Sequence, residues 1–215
     1  MRFVTHLESA IDGTRLDANC LQTVHRDRPL WVRYDLEAIK SHVDRDALAT
    51  REATMWRYRE LLPLDDQQAP VSLGETITPL INCPVLAKDA AVREVWVKDE
   101  SRLPTGSFKS RGMTMAISMA QFFGVRRVAL PSAGNAGGAA AFYAARAGME
   151  AFVFMPEDTP VINQHEAALA GARTFLVNGL INHCGAIVRE GMETMQWFDL
   201  STLKEPYRIE GKKTM

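Results

Sequence analysis

Apolar and polar positions follow two periods along the last two thirds of the chain, and these periods alternate in step. Short apolar runs typical of strands occupy residues 94–98, 127–130, 151–155 and 174–177. Stretches with helical spacing occupy residues 109–123, 135–146, 161–170 and 181–195. Strands that alternate with helices are typical of a parallel sheet covered by helices on its faces. The pattern therefore predicts a three-layer α/β fold for this part of the chain.

The first third of the chain has a different pattern. Residues 1–34 are predicted to form a small β-rich segment, in which 30–34 is a short strand preceded by turn residues. Residues 35–62 have helical spacing and many charges, and Pro63 and Pro70 end this stretch. A small sheet and a helical connection are therefore expected before the α/β part.

The composition excludes several classes of protein. The 215 residues are 47% hydrophobic and 24% charged, and the formal charge of −1 gives no sign of binding to nucleic acid or to an acidic membrane. No apolar run is long enough to span a bilayer, and the first residues lack the apolar region of a signal peptide. The scattered Cys20, Cys83 and Cys184 indicate reduced thiols. We therefore expect a cytoplasmic protein, and these features would fit many enzymes.

Lys109 is the first candidate for chemistry, within the run 104–112 (PTGSFKSRG). A lysine held at a junction between a turn and a helix loses hydration, so that its pKa falls and its free amine can attack an aldehyde. The alternative is a solvated lysine at a helix start. Positive charge is mildly unfavourable at that end of a helix, which makes a lysine without a purpose unusual there.

A second turn, at 132–138 (SAGNAGG), follows an apolar strand and opens a helix. Its backbone N–H groups are free to hold an anion, although Asn135 is also a plain N-cap candidate. Both turns follow a strand, and ligands of parallel sheets bind beyond the carboxyl ends of strands. A Schiff-base lysine beside an anion-binding helix start is what a pyridoxal phosphate enzyme needs.

Together the two motifs resemble the fold-type II pyridoxal phosphate enzymes, and threonine synthase most closely. The resemblance runs from about residue 71 to 215 and includes 143–148, 154–156, 170–172 and 208–215. It implies a fold like that of the tryptophan synthase β subunit. It also implies a degenerate zinc ribbon at 1–34, part of the large cofactor domain at 35–105, a small α/β domain at 106–200 and a return to the large domain at 201–215. The second half of the large domain, with the cradle for the cofactor phosphate, is then expected beyond Met215.

The resemblance also assigns roles to residues. Lys109 and Phe108 would contact the cofactor, and Asn135 would hydrogen-bond its ring oxygen. The substrate would be bound by Thr105 and Ser107 and by the turn that contains Ser132, Ala133, Gly134, Asn135 and Ala136. Its phosphate would be held by Ser201, Thr202 and Arg208, with the alternative that Arg208 only caps a surface loop. Asp99 and Glu100 would position the lysine loop rather than act as a catalytic pair.

Two departures from the family change the expectations. Many threonine synthases carry two Cys-x-x-Cys pairs in the N-terminal ribbon, but the matching positions here are Ser9, Asp12, His25 and Asp27, so we expect no metal. Ala136 stands where many members have threonine, which removes one contact to phosphate.

The implied function is that of a lyase that converts O-phospho-L-homoserine and water to L-threonine and phosphate through a Schiff base on Lys109. The full-length protein is expected to be a homodimer. Within the enzyme class the alternatives are threonine dehydratase and cysteate synthase. An alternative of another class is a catalytically inert fragment that lacks the loop for the cofactor phosphate, and the 215-residue chain by itself is expected to be inactive.

Overall fold

A small antiparallel sheet forms the N-terminal part of the protein. The structure is a computed structural model that describes residues 3–65 and 67–215. The strands β1 (Val4–Ser9), β2 (Arg15–Leu16) and β3 (Leu30–Tyr34) pair in the order β2-β1-β3. Leu7, Leu30 and Val32 are buried together on one face of this sheet. The strand expected at residues 30–34 is therefore present as β3.

Residues 35–105 contain less α-helix than the sequence predicts. Helix α1 (Leu36–His42) is followed by Val43 in an extended conformation, and the stretch continues as two 3₁₀ helices, Ala47–Thr50 and Met55–Leu61. Tyr58 interrupts the second with a ψ of 27°. The predicted helical stretch to residue 62 is therefore α-helical only in α1, and the rest of its helix is 3₁₀. No continuous apolar face is available there to stabilise an α-helix by packing.

A two-stranded antiparallel sheet follows. It pairs β4 (Leu80–Asn82) with β5 (Trp96–Lys98), and helix α2 (Pro84–Asp89) lies between them in the chain. A 3₁₀ helix, Glu100–Arg102, then leads into the loop that carries the candidate lysine.

The α/β part has the predicted three layers, but the strand expected at 94–98 is not in its parallel sheet, because it is β5 and pairs antiparallel with β4. Strands β6 (Arg127–Pro131), β7 (Glu150–Pro156), β8 (Arg173–Val177) and β9 (Phe198–Asp199) form a parallel sheet in the order β8-β7-β6-β9. Helices α3 (Lys109–Phe122), α4 (Asn135–Arg146) and α5 (Val161–Leu169) cover one face, and α6 (Ile181–Met195) covers the other. Helix α7 (Tyr207–Lys212) packs on α3. None of the helices within the described residues is both long and apolar enough to cross a membrane.

Helices α3 and α7 approach so closely that two glycines are required at their contact. A Cβ atom on Gly211 would lie 1.9 Å from the carbonyl oxygen of Arg111, and one on Gly112 would lie 3.1 Å from the carbonyl oxygen of Arg208. The backbones therefore touch where the helices cross. This contact fixes α7 relative to the start of α3.

A buried ion pair anchors the first turn of α3. The Arg111 Nε donates to Glu100 Oε2 at 2.6 Å and its Nη2 donates to Glu100 Oε1 at 2.9 Å. The Arg111 Nη1 donates to the carbonyl oxygen and the hydroxyl of Thr214, both at 3.2 Å. Burial opposes ionisation of Glu100, but the hydrogen bonds from Arg111 and Thr78 outweigh it and lower its pKa. Residue 111 is thus fixed two positions after Lys109.

Candidate functional site

Lys109 is the first residue of α3, and the loop before it folds back onto that first turn. The Thr105 N–H donates to Ser110 Oγ at 3.2 Å, and the hydroxyls of Thr105 and Ser110 are 2.7 Å apart. The Lys109 N–H donates to Ser107 Oγ at 3.4 Å. The Thr105 and Ser107 hydroxyls are therefore used to hold the lysine loop, which leaves their expected contact with substrate untested.

The amine of Lys109 lies in a partly apolar environment. Its Nζ is 3.6 Å from the centroid of the Phe108 ring, and the side chain has no ion pair with a carboxylate in the described part of the chain. Burial, followed by the charge of Arg208, lowers its pKa. The free amine is thus favoured relative to a solvated lysine, which is the property that a nucleophilic amine needs.

Arg208 lies on α7 and is only 3% exposed, so the alternative that it caps a surface loop is wrong. Its Nη1 donates to the carbonyl oxygen of Leu200, while its buried Nε has no hydrogen-bond partner among the described residues. Burial lowers its pKa although the nearby carboxylates of Glu205 and Asp199 oppose that change. A buried guanidinium with an unused N–H is suited to an anionic ligand.

Lys212, one turn after Arg208, is a site residue that the sequence analysis missed. Its Nζ is 5.8 Å from the centroid of the Phe108 ring, the same ring that the Lys109 amine contacts. Burial, then the charges of Arg208 and Lys109, lower its pKa, and Glu205 opposes them. The sequence did contain a signal for Lys212. It lies four residues after Arg208, and residues four apart on a helix share a face.

The turn after β6 has a different hydrogen-bond pattern from the one expected. Helix α4 begins at Asn135 with Gly134 as its N-cap, so Asn135 is not the capping residue. The Ser132 hydroxyl takes that role, since its Oγ accepts from the N–H groups of Gly137 at 2.8 Å and Gly134 at 3.3 Å. The exposed Asn135 side chain accepts a long bond of 3.5 Å from Asn163.

The turn itself is open toward solvent. Ala133 and Asn135 are exposed, and Gly134 and Ala136 are partly buried. The first N–H groups of a helix have no partner within the helix, so the start of α4 offers donors to an anion.

The lysine, the α4 turn and Arg208 lie toward the same edge of the parallel sheet. The α4 turn follows the carboxyl end of β6, and the Leu200 carbonyl that binds Arg208 follows the carboxyl end of β9. The charge of Arg208 acts on the Lys109 amine, which places that amine near the same end. This is the edge at which ligands of open α/β sheets bind.

Ser201 and Thr202 are placed differently. The Ser201 N–H and hydroxyl donate to Asp199 Oδ1 at 2.7 and 2.5 Å. Both residues line a cavity of about 320 Å³ beside α6 and the N-terminal segment, and neither Lys109 nor Arg208 is among its lining residues. The Ser201 hydroxyl is therefore bound to Asp199, and Arg208 binds the carbonyl oxygen of the preceding Leu200 rather than either hydroxyl.

The positions that the resemblance matches to zinc ligands make polar contacts with other side chains. Asp12 lies 3.2 Å from Arg26 and 3.7 Å from His25, and hydrogen bonds from Thr14 lower its pKa to about 2. Over residues 3–65 and 67–215, no group of three or more His, Cys, Asp or Glu side chains is arranged to hold a metal ion. The absence of a bound metal remains a prediction, which elemental analysis would test.

Comparison with known proteins gives a consistent family. A family model described as pyridoxal-phosphate dependent enzyme matches residues 71–215. The threonine synthase of Methanocaldococcus jannaschii is 37% identical over 187 residues, which cover 86% of this chain and 46% of that protein. The threonine synthase of Methanosarcina acetivorans is 35% identical over 190 residues, covering 88% of this chain and 46% of that protein. The chain thus spans about half the length of the curated relatives it matches.

Solved structures support the fold. Diaminopropionate ammonia lyase from Escherichia coli in complex with D-serine has a TM-score of 0.61 at 20% identity, over 67% of this chain and 44% of that one. The processed form of threonine deaminase isoform 2 from Solanum lycopersicum has a TM-score of 0.59 at 21% identity, over 80% and 44% of the two chains. At these identities the likeness concerns the fold alone.

Proposed function

This chain belongs to the pyridoxal-phosphate dependent enzyme family, and we propose that Lys109 is the residue that binds the cofactor in a lyase of threonine-synthase type. The cofactor is pyridoxal 5'-phosphate. The observation that carries the assignment is the partly buried Lys109 amine, which lacks a carboxylate partner in the described residues and has a lowered pKa.

The residues present fit the cofactor. When bound, pyridoxal phosphate supplies an aldehyde that condenses with amines and a ring that delocalises electrons. Lys109 offers an amine whose pKa is lowered by burial and by Arg208, and Phe108 offers an apolar surface beside it. Asn135, exposed at the start of α4, offers the amide proposed to contact the ring oxygen.

The chain's own groups would position the substrate and move protons. Lys109 Nζ, once free, would take up and return protons as a general base and acid, and a pKa below that of a solvated lysine suits this role. The start of α4, including the backbone of Ser132 to Ala136, would bind the substrate carboxylate. The Ser132 hydroxyl would contribute by holding the turn, since it already binds two of its N–H groups.

Arg208 is the best-supported group for the substrate phosphate. Its buried Nε has no partner in the described structure, and guanidinium groups suit phosphate because they donate two parallel hydrogen bonds. Ser201 and Thr202 are less well placed, because Ser201 is bonded to Asp199 and both line another cavity. Thr105 and Ser107 would act mainly by holding the lysine loop.

The proposed reaction converts O-phospho-L-homoserine and water to L-threonine and phosphate. Phosphate leaves the γ-carbon, and water adds at the β-carbon. Threonine dehydratase and cysteate synthase activities are the alternatives within the class. Release of inorganic phosphate from O-phosphohomoserine, coupled to formation of threonine, would separate them.

The experiment that tests the lysine assignment is chemical. Borohydride reduction of the cofactor-loaded protein, followed by peptide mapping, should place the pyridoxyl group on Lys109. A label on Lys98 or Lys88 would contradict the proposal, and Lys109→Ala should abolish both the label and turnover. Complete absence of a label would favour the inert-fragment alternative. A homodimeric full-length protein and a cytoplasmic location remain predictions, and light scattering would test the former.

A further inference from the structure

Lys212 places a second amine beside the Phe108 ring that the Lys109 amine contacts. The two Nζ atoms are 5.8 and 3.6 Å from the ring centroid, so their separation cannot exceed the sum of these distances. Neither lysine makes an ion pair with a carboxylate within the described residues. The adjacent Lys213 behaves differently, since its Nζ binds Glu210 Oε2 at 2.5 Å and lies 4.1 Å from the centroid of the Tyr34 ring.

The position of Lys212 is set by the contact between α3 and α7. Its side chain passes over Gly112, where a Cβ atom would lie 3.4 Å from Lys212 Cε. Gly112 lies three residues after Lys109, on the first turn of α3. Because the Gly211 backbone touches that of Arg111, the helix that carries Lys212 cannot shift away to relieve repulsion between the two amines.

We propose that Lys212 is a positioning residue for the cofactor-binding lysine, because its positive charge beside the Phe108 ring disfavours the ammonium form of Lys109 and increases the fraction of free amine. The inference rests on the proposed role of Lys109 for its functional meaning. The effect of the Lys212 charge on the titration of Lys109 does not depend on that role and can be measured without cofactor.

The charged groups around the two amines act on both of them. Arg208 acts on both amines with the same sign. Burial, Arg208 and Lys109 lower the pKa of Lys212 and Glu205 opposes them, whereas burial and Arg208 lower the pKa of Lys109. The carboxylate of Asp199 faces Arg208, and Glu100 on the other side of α3 is paired with Arg111.

Repulsion between two amines is reciprocal, so the interaction that lowers the pKa of Lys212 acts equally on Lys109 while Lys212 is charged.

The expected size follows from Coulomb's law. At the separation that the two ring distances allow, like charges partly shielded by water change each other's titration midpoint by roughly 0.5–1 pH unit. This corresponds to a roughly three- to tenfold change in the fraction of free amine near neutral pH. Such a change is small enough to leave the fold intact and large enough to measure.

Competitive acetylation of the cofactor-free protein with mass-spectrometric peptide mapping gives the titration midpoint of each lysine amine. With Lys212→Gln, we expect Lys109 to titrate roughly 0.5–1 pH unit higher and to be acetylated about three- to tenfold more slowly near neutral pH. Lys212→Arg keeps the charge and should leave Lys109 as in the unsubstituted protein. Lys88→Gln, an equal change of charge at an exposed position on α2, is the matched control.

Two results would overturn the inference: the same Lys109 midpoint in Lys212→Gln and Lys88→Gln, or the same displacement in Lys212→Arg as in Lys212→Gln. If Lys212→Gln does not fold, Lys109→Gln provides the reciprocal measurement, in which the Lys212 midpoint should rise by a similar amount. A constant Lys212 midpoint there would equally overturn it. Borohydride labelling at another lysine would refute the cofactor role of Lys109 and leave these midpoints unaffected, so the two failures are distinguishable.

Discussion

Removal of the Glu100 carboxylate should destabilise the protein strongly, because it leaves the buried Arg111 guanidinium without its ionic partner. The Arg111 side chain is 2% exposed and that of Glu100 is 12% exposed, and two hydrogen bonds of 2.6 and 2.9 Å join them. After Glu100→Ala, Arg111 would retain only the Thr214 contacts and a long bond of 3.4 Å to Thr78. Breaking a buried pair in this way costs about 3–5 kcal/mol.

Calorimetry measures this loss directly. For a chain of this size, each kcal/mol lowers Tm by about 2–4 °C, so Glu100→Ala should lower it by roughly 6–20 °C. The folded-state pKa of Glu100 is below its ordinary value of 4.5, so its stabilising effect is present above pH 4.5 and is lost as pH falls through the folded pKa. The difference in unfolding free energy between the two proteins should therefore shrink in acid.

The control is an exposed acidic residue. Glu94 lies 3.9 Å from Arg93 in a pair that is largely exposed, and Glu94→Ala should leave Tm nearly unchanged. The double variant Glu100→Leu with Arg111→Met should recover much of the loss, because no buried charge then remains unpaired. If Glu100→Ala were no more destabilising than Glu94→Ala, the pair would not anchor α3.

Three further predictions concern packing, pH and metal. Gly211→Ala should lower the unfolding free energy by about 3 kcal/mol or more, since the new Cβ would lie 1.9 Å from the Arg111 carbonyl oxygen. Gly185→Ala is the control and should not lower it, because its Cβ would have no neighbour closer than 3.9 Å. Burial raises the pKa of Glu205 to about 7, so the protein should lose stability as pH rises from 4.5 through 7 while Glu205→Gln stays nearly flat; parallel melting curves would contradict this. Elemental analysis should find well under one zinc per chain, and stoichiometric zinc that resists chelators would refute the account of Asp12 and His25.

The regular elements of the α/β part were predictable because their patterns are local. Helix α6 has the limits expected from its spacing, and α3 ends one residue before the expected position. Each of these segments contains enough residues for its period to be recognised. Strand β9 (Phe198–Asp199) was missed because two residues show no period, and it is recognisable only from its pairing with β6.

The details of the site depend on contacts between distant segments, and these are not visible in a local pattern. The motif placed Lys109 at the start of a helix, but the partners of its amine come from the crossing of α3 and α7. Similarly, the sequence grouped Ser201 with Arg208, whereas the buried Asp199 carboxyl binds the Ser201 hydroxyl. The surroundings of Lys109 and the partner of Ser201 both depend on which groups become buried together in the fold.

Helix α7 connects the N-terminal sheet with the candidate site, although it has only six residues and could not be stable alone. On one side, the Tyr34 hydroxyl donates to Glu210 Oε2, and the Lys213 ammonium contacts both Glu210 and the Tyr34 ring. On the other side, the same helix presents Arg208 and Lys212 toward Lys109. The residues of the two sets alternate along residues 208–213. Tyr34 on β3 therefore joins the N-terminal sheet to the helix whose Arg208 charge acts on the amine of Lys109.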